Sequence, residues 1–410
     1  MSTANEPGCP TPLAGLKVVE LARILAGPWI GQTLADLGAD VIKVESPEGD
    51  DTRRWGPPFV AQADGTPADA AYFHSCNRGK RSVVADLRNE SGRTFVRRLA
   101  TDADVLIENF KVGGLRKYGL DYDTLHELNP KLVYCSVTGF GQDGPYATRA
   151  GYDAMIQAIS GVMDLTGEEN GSPQKMGVAF ADIFTGLYGV IAIQAALAAR
   201  QRTGVGQHID MALLDCMVGV LANQALNYLV SGTTPRRLGT AHPNIAPYQV
   251  FAVRDGHIML AVGNDAQFRR TCEVLGEPSL ASDVRYADNA GRVANRATLI
   301  PKLSEAFQTF SRNEILHRLE AQGVPAGPIN TVQDAFEDVQ VRHRELALPL
   351  SCAWAQGGVI PGVRTPIRFS NATLSTSRPS PRLGEHNEEV RQQLFGASQA
   401  SRLDSGDEPA

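Results

Sequence analysis

Short apolar runs alternate with helical patterns over the first third of the chain. Residues 16–22 and 40–45 are apolar runs of strand length, and between them Ile30, Leu34 and Leu37 recur at helical spacing. Three further predicted strands alternate with helical patterns in the same way: 82–87, 104–109 and 132–137. Repeated strand–helix–strand units predict a mostly parallel sheet with helices on both faces.

The pattern changes beyond the middle of the chain. A long helix is predicted from near Asp182 to the glycine-containing stretch 203–207, and a second long helix over 208–229. Residues 247–263 favour two strands around an Arg-Asp-Gly turn, which predicts a hairpin. Helical patterns follow at 266–275, 297–309 and 312–322.

Length and composition predict two domains. The 410 residues exceed what one hydrophobic core usually serves, and 43% hydrophobic with 20% charged residues is typical of a globular protein. We predict an α/β protein with a large Rossmann-like domain built from both chain ends and a smaller α+β domain. The predicted segments are 12–230 and 331–395 for the large domain, 231–330 for the small domain, and 396–410 for a disordered tail.

Composition also indicates the cellular compartment and the kinds of binding partner. The six cysteines are scattered, the first residues resemble neither a signal nor a transit peptide, and polar residues interrupt the apolar segments 187–199 and 211–230. We therefore predict a soluble, cytoplasmic protein without a membrane partner. The net charge of −6 argues against nucleic acid, although residues 77–117 hold ten Lys or Arg against five Asp or Glu. Either this segment binds an anion, or its arginines form the solvated side of a helix: Arg93, Arg97 and Arg98.

Familiar cofactor and metal motifs are missing from the sequence. It has no GxGxxG after a strand, no phosphate-binding P-loop, no HExxH or paired CxxC, and no GxSxG elbow. We predict no metal and no tightly bound cofactor, which leaves carboxylates for covalent chemistry. Asp182, in GVAFADIFTGLYG, stands where a long helix begins, so the local pattern favours a helix N-cap. The same position would also leave its carboxylate reachable beside free backbone amides.

Six motifs follow one another between about residues 12 and 395. They are ELARILAGPWIGQTLADLGADVIKVESPEGDDTRRWGPPF, NRGKRSVVADLRN, DVLIENF, SVTGFGQDGPYATRAGYDAMIQAISGVMDLTG, GVAFADIFTGLYG and RTGVGQHIDMALLD. Together they resemble the class III CoA-transferases, the family of formyl-CoA transferase and carnitine CoA-transferase. The resemblance implies that Asp182 is a nucleophile that forms an aspartyl anhydride and then an aspartyl-CoA thioester. It also implies that Asp153 orients Asp182 or modulates its charge, the alternative for Asp153 being a second helix cap.

The resemblance further implies where coenzyme A, as a co-substrate, is bound. The matching positions are Ile24, Leu25, Ala85, Asp86, Leu87, Arg88, Asn109, Lys117 and Tyr152. Four cations of this region are predicted to meet the phosphates: Lys80, Arg81, Arg88 and Lys117. Leu25 stands where some relatives have glutamine, so oxyanion contacts must come from the backbone or elsewhere. Because the family forms interlocked dimers, the resemblance implies a homodimer.

The stretch 238–264, with GVPAGPIN and RPSPRLGEH, most resembles the succinyl-CoA:glutarate CoA-transferase branch. This implies succinyl-CoA as donor and a dicarboxylate acceptor such as glutarate, malate, itaconate or citramalate. Candidate donors to its distal carboxylate are Arg54, Arg237, His242 and Asn244, although each alone is more typical of a structural or solvated residue. The sequence GTAHPN replaces the consecutive glycines associated with formate and oxalate enzymes, which disfavours oxalate.

Two alternatives remain beside the transferase. A 2-methylacyl-CoA racemase needs a histidine and an aspartate as opposed bases, and its GHD motif corresponds to Gly151, Tyr152 and Asp153 here. Tyrosine in place of histidine removes one base. The other alternative is a non-catalytic CoA-binding protein, in which Asp182 acts only as a cap.

Overall fold

The computed structural model of the chain describes residues 10–396. The strands are, in chain order, β1 (Lys17–Glu20), β2 (Asp40–Glu45), β3 (Phe59–Ala61), β4 (Pro67–Ala70), β5 (Arg81–Val84), β6 (Val105–Glu108), β7 (Val133–Thr138), β8 (His208–Ala212), β9 (Tyr248–Val253), β10 (Gly256–Ala261), β11 (Ala326–Pro328), β12 (Ala347–Ser351) and β13 (Val359–Val363). The helices are α1 (Ala26–Asp36), α2 (Ala71–His74), α3 (Glu90–Thr101), α4 (Tyr122–Leu128), α5 (Asp153–Ile159), α6 (Val162–Leu165), α7 (Phe180–Thr203), α8 (Leu213–Gly219), α9 (Ala222–Ser231), α10 (Asp265–Val274), α11 (Pro278–Ser282), α12 (Asn289–Ala294), α13 (Arg296–Phe307), α14 (Arg312–Ala321), α15 (Val332–Glu337), α16 (Val339–His343) and α17 (Asn387–Phe395).

The chain divides into two compact units. The large unit takes the chain up to Ser160, then Met176–Ala225, and then the chain from Arg342. The small unit takes Gly161–Lys175 and Leu226–Val341, so its bounds differ from the predicted 231 and 330. Segment 161–175 joins the small unit because the Gly239 amide donates to the Gly167 carbonyl at 3.1 Å, a long-range contact that no local pattern reveals.

A six-stranded parallel sheet forms the centre of the large unit, as predicted. Its strand order is β5-β2-β1-β6-β7-β8, and Val19 of β1 pairs with Ile42 of β2 on one side and Leu106 of β6 on the other. In chain order of the six strands this is 3-2-1-4-5-6, the doubly wound order in which ligands bind where the winding reverses, between the first and fourth strands. The apolar residues of α3 and α4 pack on one face of the sheet, and α1 and α7 pack on the other.

The second predicted helix, over 208–229, is wrong in its first part. Residues His208–Ala212 form the edge strand β8, which pairs in parallel with β7, and only α8 and α9 are helical. These two helices meet at 73°, and Ala222 at the break has a φ of 48°. Five apolar-rich residues directly before a helix do not distinguish strand from helix by periodicity, so the pairing partner decides.

The C-terminal part of the large unit covers the opposite edge of the sheet. The His386 amide donates to the Ser82 carbonyl at 2.9 Å, and the Asn387 side chain accepts from the Val84 amide at 2.7 Å. These bonds satisfy the exposed side of β5 and attach α17 to it. Apart from Gly396, the predicted tail lies outside the described residues, as does Cys9.

The small unit is built on a three-stranded antiparallel sheet in the order β11-β10-β9. The predicted hairpin is confirmed, because β9 and β10 pair around Arg254 and Asp255. The three predicted helical patterns are confirmed as α10, α13 and α14. They enclose a core that includes Phe251, Phe268 and Leu303.

Helix α7 is long and apolar enough, by length and composition alone, to cross a membrane, which differs from the sequence-based interpretation. It packs against α1, α8, β7 and β8, and 44% of its most apolar 18-residue stretch is buried. The bent pair of α8 and α9 meets the same criterion when taken together. Because core helices also meet this criterion, the finding does not assign a membrane.

Candidate active site

Asp182 lies in the first turn of α7, inside the helix. The helix begins at Phe180 with Ala179 as its N-cap, so the predicted cap role of Asp182 is wrong. Its carboxylate accepts no hydrogen bond from any residue between 10 and 396. Burial and, to a lesser extent, the negative charge of Asp153 raise the pKa of Asp182 to about 7.

Asp153 connects the starts of two helices. It is the first residue of α5, and its carboxylate accepts from the Ala181 amide at 2.8 Å and from the Gln157 side chain at 2.7 Å. Ala181 belongs to the first turn of α7, whose amides have no acceptor within the helix. Asp153 therefore caps α7, the neighbour of its own helix, and its negative charge is a minor cause of the raised pKa of Asp182.

Two glycines bring α7 into close contact with α1. A Cβ at Gly186 would lie 3.1 Å from the Ala26 carbonyl oxygen, and one at Gly189 would lie 2.5 Å from the Ile30 Cδ1. Larger residues at either position would separate the helices. Since Asp182 stands one turn before Gly186, this contact places its carboxylate beside the N-terminus of α1.

A cavity of about 410 Å³ opens at this junction. It is lined by Asp182 together with five of the residues that the resemblance assigns to coenzyme A: Ile24, Leu25, Asn109, Lys117 and Tyr152. A second cavity, of about 310 Å³, is lined by the other four: Ala85, Asp86, Leu87 and Arg88. Arg23, Phe110 and Tyr118 line both cavities, so the two are adjacent. The structure thus brings all nine predicted contacts and Asp182 to one continuous surface.

The cations divide into exposed and buried groups. Arg88 and Lys117 are exposed, although Arg88 already pairs with Asp86 at 2.8 Å. The prediction that Lys80 and Arg81 meet phosphates is wrong, because both are buried in ion pairs. Lys80 binds Glu20 at 2.8 Å, and Arg81 binds Asp40 and Glu389.

The solvated-helix interpretation is confirmed for the three other arginines. Arg93 and Arg97 pair with Glu90, and Arg98 pairs with Asp102, all along α3.

Sequence reasoning missed several residues of this surface. Arg23, Lys111 and Arg149 are cations that line the cavity of Asp182. Arg23 directly precedes the assigned Ile24, and Lys111 follows the assigned Asn109 by two positions, so nearness in sequence was the available signal.

Tyr72 of α2 had no such signal. Burial and then the negative charge of Asp182 raise the pKa of Tyr72 to about 12. The Tyr72 hydroxyl is therefore neutral at physiological pH.

The four residues predicted to bind the acceptor acid do not contact one another as a single group in the described part of the chain. Arg54 lies in the large unit and donates to the Glu48 carbonyl at 2.7 Å. In the small unit, His242 Nδ1 accepts from the Asn244 amide at 3.1 Å, while Arg237 forms an ion pair with Asp164 at 2.8 Å. The Arg237 Nε is buried and donates to no acceptor in the described part of the chain.

Within residues 10–396, no three His, Cys, Asp or Glu side chains form a metal-binding group.

Residues 13–387 match the family model described as CoA-transferase family III. A succinate–glutarate CoA-transferase of Agrobacterium fabrum is 58% identical over 95% of this chain and 97% of its own length. A human succinyl-CoA:glutarate CoA-transferase is 42% identical over 94% of this chain and 86% of its own length. The crystal structure of a CAIB/BAIF family protein from Brucella suis has a TM-score of 0.84 and 62% identity, covering 94% of this chain and all of that one.

Replacing Asp182 with asparagine is expected to stabilise the fold. The pKa of Asp182 is about 7 when folded and 3.8 as its ordinary value, so ionisation opposes folding increasingly from about pH 4 to pH 7 and constantly above that. Asp182→Asn should therefore raise the free energy of unfolding by roughly 2–4 kcal/mol at pH 8 and by little near pH 4. Urea denaturation at the two pH values measures the difference.

Asp215 provides the matched control, because it also lies in the first turn of its helix, α8, but is exposed. Asp215→Asn should change the unfolding free energy by less than about 1 kcal/mol at either pH. Equal effects of the two substitutions would contradict the desolvation of Asp182.

Proposed function

Because the chain belongs to the CoA-transferase family III, we propose that it moves coenzyme A from succinyl-CoA to a dicarboxylic acid, with Asp182 as the covalent nucleophile. The observation that carries the proposal is the Asp182 carboxylate, which accepts no described hydrogen bond and opens into the cavity lined by the predicted CoA contacts. Family membership makes the chain an enzyme, so a purely CoA-binding role is set aside.

The proposed reaction has four acyl transfers and consumes no water. A carboxylate oxygen of Asp182 attacks the carbonyl carbon of the donor thioester and the C–S bond breaks. The products are free CoA thiolate and an aspartyl–succinyl anhydride. The thiolate then attacks the aspartyl carbonyl, so succinate departs and an aspartyl-CoA thioester forms. The acceptor carboxylate attacks this thioester and releases the thiolate again. The thiolate finally attacks the acceptor carbonyl of the new anhydride, which yields acceptor-CoA and restores Asp182.

Each tetrahedral intermediate carries an oxyanion that needs donors. The Leu25 side chain has none, but the first hydrogen bond into α1 runs from the Trp29 amide to the Leu25 carbonyl at 2.7 Å. The amides of Leu25 and Ala26 therefore precede the helical ladder, and both residues line the cavity of Asp182. We assign the oxyanion contacts to these backbone groups.

The racemase alternative receives no support from this site. Tyr152, in place of the histidine that such an enzyme needs, is the N-cap of α5 and is 64% exposed. It supplies no imidazole to exchange an α-proton opposite Asp153.

The names of the two relatives support succinate and glutarate as the exchanged acids. Glutarate or a similar dicarboxylate needs a cation for its distal group, and we keep the sequence-based candidate Arg237 for that role. The free, buried cysteines of the described chain are in keeping with a reducing, cytoplasmic location.

The nucleophile is tested by trapping. Incubation with succinyl-CoA and hydroxylamine should convert Asp182 to a hydroxamate, which mass spectrometry of its peptide detects, while Asp153 stays unmodified. Asp182→Asn should lower kcat by about 10³-fold or more. Since only the ionised carboxylate attacks, kcat/KM should fall tenfold per pH unit below about pH 7. An unmodified Asp182 in protein that turns over succinyl-CoA would refute the assignment.

The role of Arg237 is tested by comparing acceptors. Arg237→Gln should raise KM for glutarate by about tenfold while changing KM for a monocarboxylate such as propionate by less than twofold, because only glutarate has a second charge to bind. Arg236→Gln is the control, since Arg236 is the exposed neighbour. Equal losses with both acceptors would show that Arg237 acts only through its ion pair with Asp164.

We also propose that the partner is a second copy of the chain. The large unit exposes large apolar residues on α5 and α7: Met155, Ile159, Leu187, Tyr188 and Ile191. Exposed apolar surface of this kind is typical of an interface.

The dimer is tested by sedimentation velocity. The unmodified protein should have twice the mass of one chain, and Ile191→Asp, at a side chain that is 62% exposed, should increase the monomer fraction. Val284→Asp, in the small unit and 86% exposed, should leave the mass unchanged. A monomer in the unmodified protein would contradict the proposal.

A further inference from the structure

The loop between β1 and α1, residues 21–25, shapes both cavities. Leu21, Ala22 and Arg23 line the smaller cavity, and Arg23, Ile24 and Leu25 line the cavity of Asp182. Its backbone leads directly into the amides that we assign to the oxyanion. The position of this loop therefore determines the geometry of the reaction.

Side chains from other parts of the chain hold the loop backbone at three of its five residues, 22 to 24. Lys43 Nζ donates to the Ala22 carbonyl at 2.8 Å. Asn109 accepts from the Arg23 amide at 3.0 Å and donates to the Arg23 carbonyl at 2.7 Å. The Ile24 amide donates to both carboxylate oxygens of Asp50 at 3.3 Å.

Ile24 is the strained residue of the loop. Its φ is 74°, in the left-handed region that β-branched side chains rarely adopt. Such a conformation persists only when surrounding contacts impose it. The bond from the Ile24 amide to Asp50 is the contact that acts directly on this residue.

Asp50 is itself fixed by a buried network. Its carboxylate accepts from the Thr52 amide at 3.0 Å and from the Thr52 hydroxyl at 2.8 Å, and it forms an ion pair with Lys43 at 2.9 Å. Burial acts to raise the pKa of Asp50, but Lys43 and Thr52 outweigh it and hold that pKa below its ordinary value. Lys43 continues the network to Glu20 at 3.1 Å.

The same network holds the first turn of α1. Lys80 Nζ binds Glu20 and also donates to the Pro28 carbonyl at 2.8 Å. A Cβ at Gly31 would lie 1.8 Å from the Glu20 carboxylate, so α1 packs directly on these charges.

We propose that Asp50, supported by Lys43, is a positioning residue of the transferase reaction, which holds Ile24 in its left-handed conformation and so aligns the start of α1 with Asp182. This inference rests on the proposed role of Asp182. Asp50 lines the smaller cavity but is only 2% exposed, and we assign its effect on Asp182 to the loop.

The first test is Asp50→Asn, which keeps the size of the side chain but removes its charge and one acceptor. A displaced loop should lower kcat by about 10- to 100-fold, while KM for succinyl-CoA changes less than about threefold. The rate of hydroxamate formation at Asp182 should fall in parallel with kcat. Asp69→Asn is the matched control, because Asp69 pairs with Arg53 of the same network without touching the loop. Equal losses in kcat for both variants would overturn the proposal.

The second test is rescue by glycine, which adopts a positive φ without strain. Asp50→Asn should cost several-fold less in kcat when combined with Ile24→Gly than it costs in the parent chain. The comparison is made within each background, so any direct effect of Ile24→Gly cancels. The same cost in both backgrounds would show that Asp50 does not act through Ile24.

A third measurement needs no variant and applies even if Asp50→Asn fails to fold. Hydrogen exchange at the Ile24 amide of the unmodified protein should be as slow as at the amides of β1, since a buried carboxylate accepts it. Exchange at the rate of an exposed loop would contradict the proposal. If the unmodified protein transfers no coenzyme A, the proposed function fails, and the exchange rate at Ile24 still decides whether Asp50 holds the loop.

Discussion

The close contact between α1 and α7 is the constraint on which the site depends. Helix α1 packs on β1, β2 and β6 while α7 packs on β7 and β8, and the glycines at 186 and 189 let the two helices approach so closely that a Cβ at either position would collide with α1. Close-packed interiors transmit displacement because they contain little free volume. The separation of the helices therefore sets the distance between the Asp182 carboxylate and the amides at the start of α1.

This contact creates an unfavourable environment for Asp182 in the resting protein. A carboxylate in the first turn of a helix would ordinarily gain from the free amides, yet the Ala181 amide is bonded to Asp153. Asp182 is left partly buried, beside a second negative charge and without a described donor, so its pKa rises. In the proposed mechanism, a carboxylate that is poorly stabilised as a free anion loses less when it becomes a neutral anhydride or thioester, which favours the proposed covalent intermediates.

Features caused by interactions between residues close in sequence could be predicted, whereas features caused by contacts between distant residues could not. The strands β1, β2 and β6 are short apolar runs between turns, so local pattern was sufficient. The strand β8 was missed because its identity depends on pairing with β7, and Lys80 and Arg81 were misassigned because their partners Glu20 and Asp40 are distant in sequence. Family resemblance identified the residues around the cavities, but it could not show that Asp153 caps α7 rather than its own helix. That contact exists only after α5 and α7 meet.

The buried charges under the loop are better explained by geometry than by stability. Lys43, Lys80 and Arg53 form ion pairs with Glu20, Glu45 and Asp50, and Arg53 also pairs with Asp69. Replacing such a network with apolar side chains is often neutral or stabilising, since the desolvation of buried ions offsets their attraction. Apolar side chains, however, accept no hydrogen bond from the amide of Ile24 and donate none to the carbonyls of Ala22 and Pro28. The backbone of an irregular segment has no ladder to satisfy it, so ordered polar side chains must do so. A loop held in this way is rigid without being regular, as the proposed role of the neighbouring Asp182 carboxylate requires.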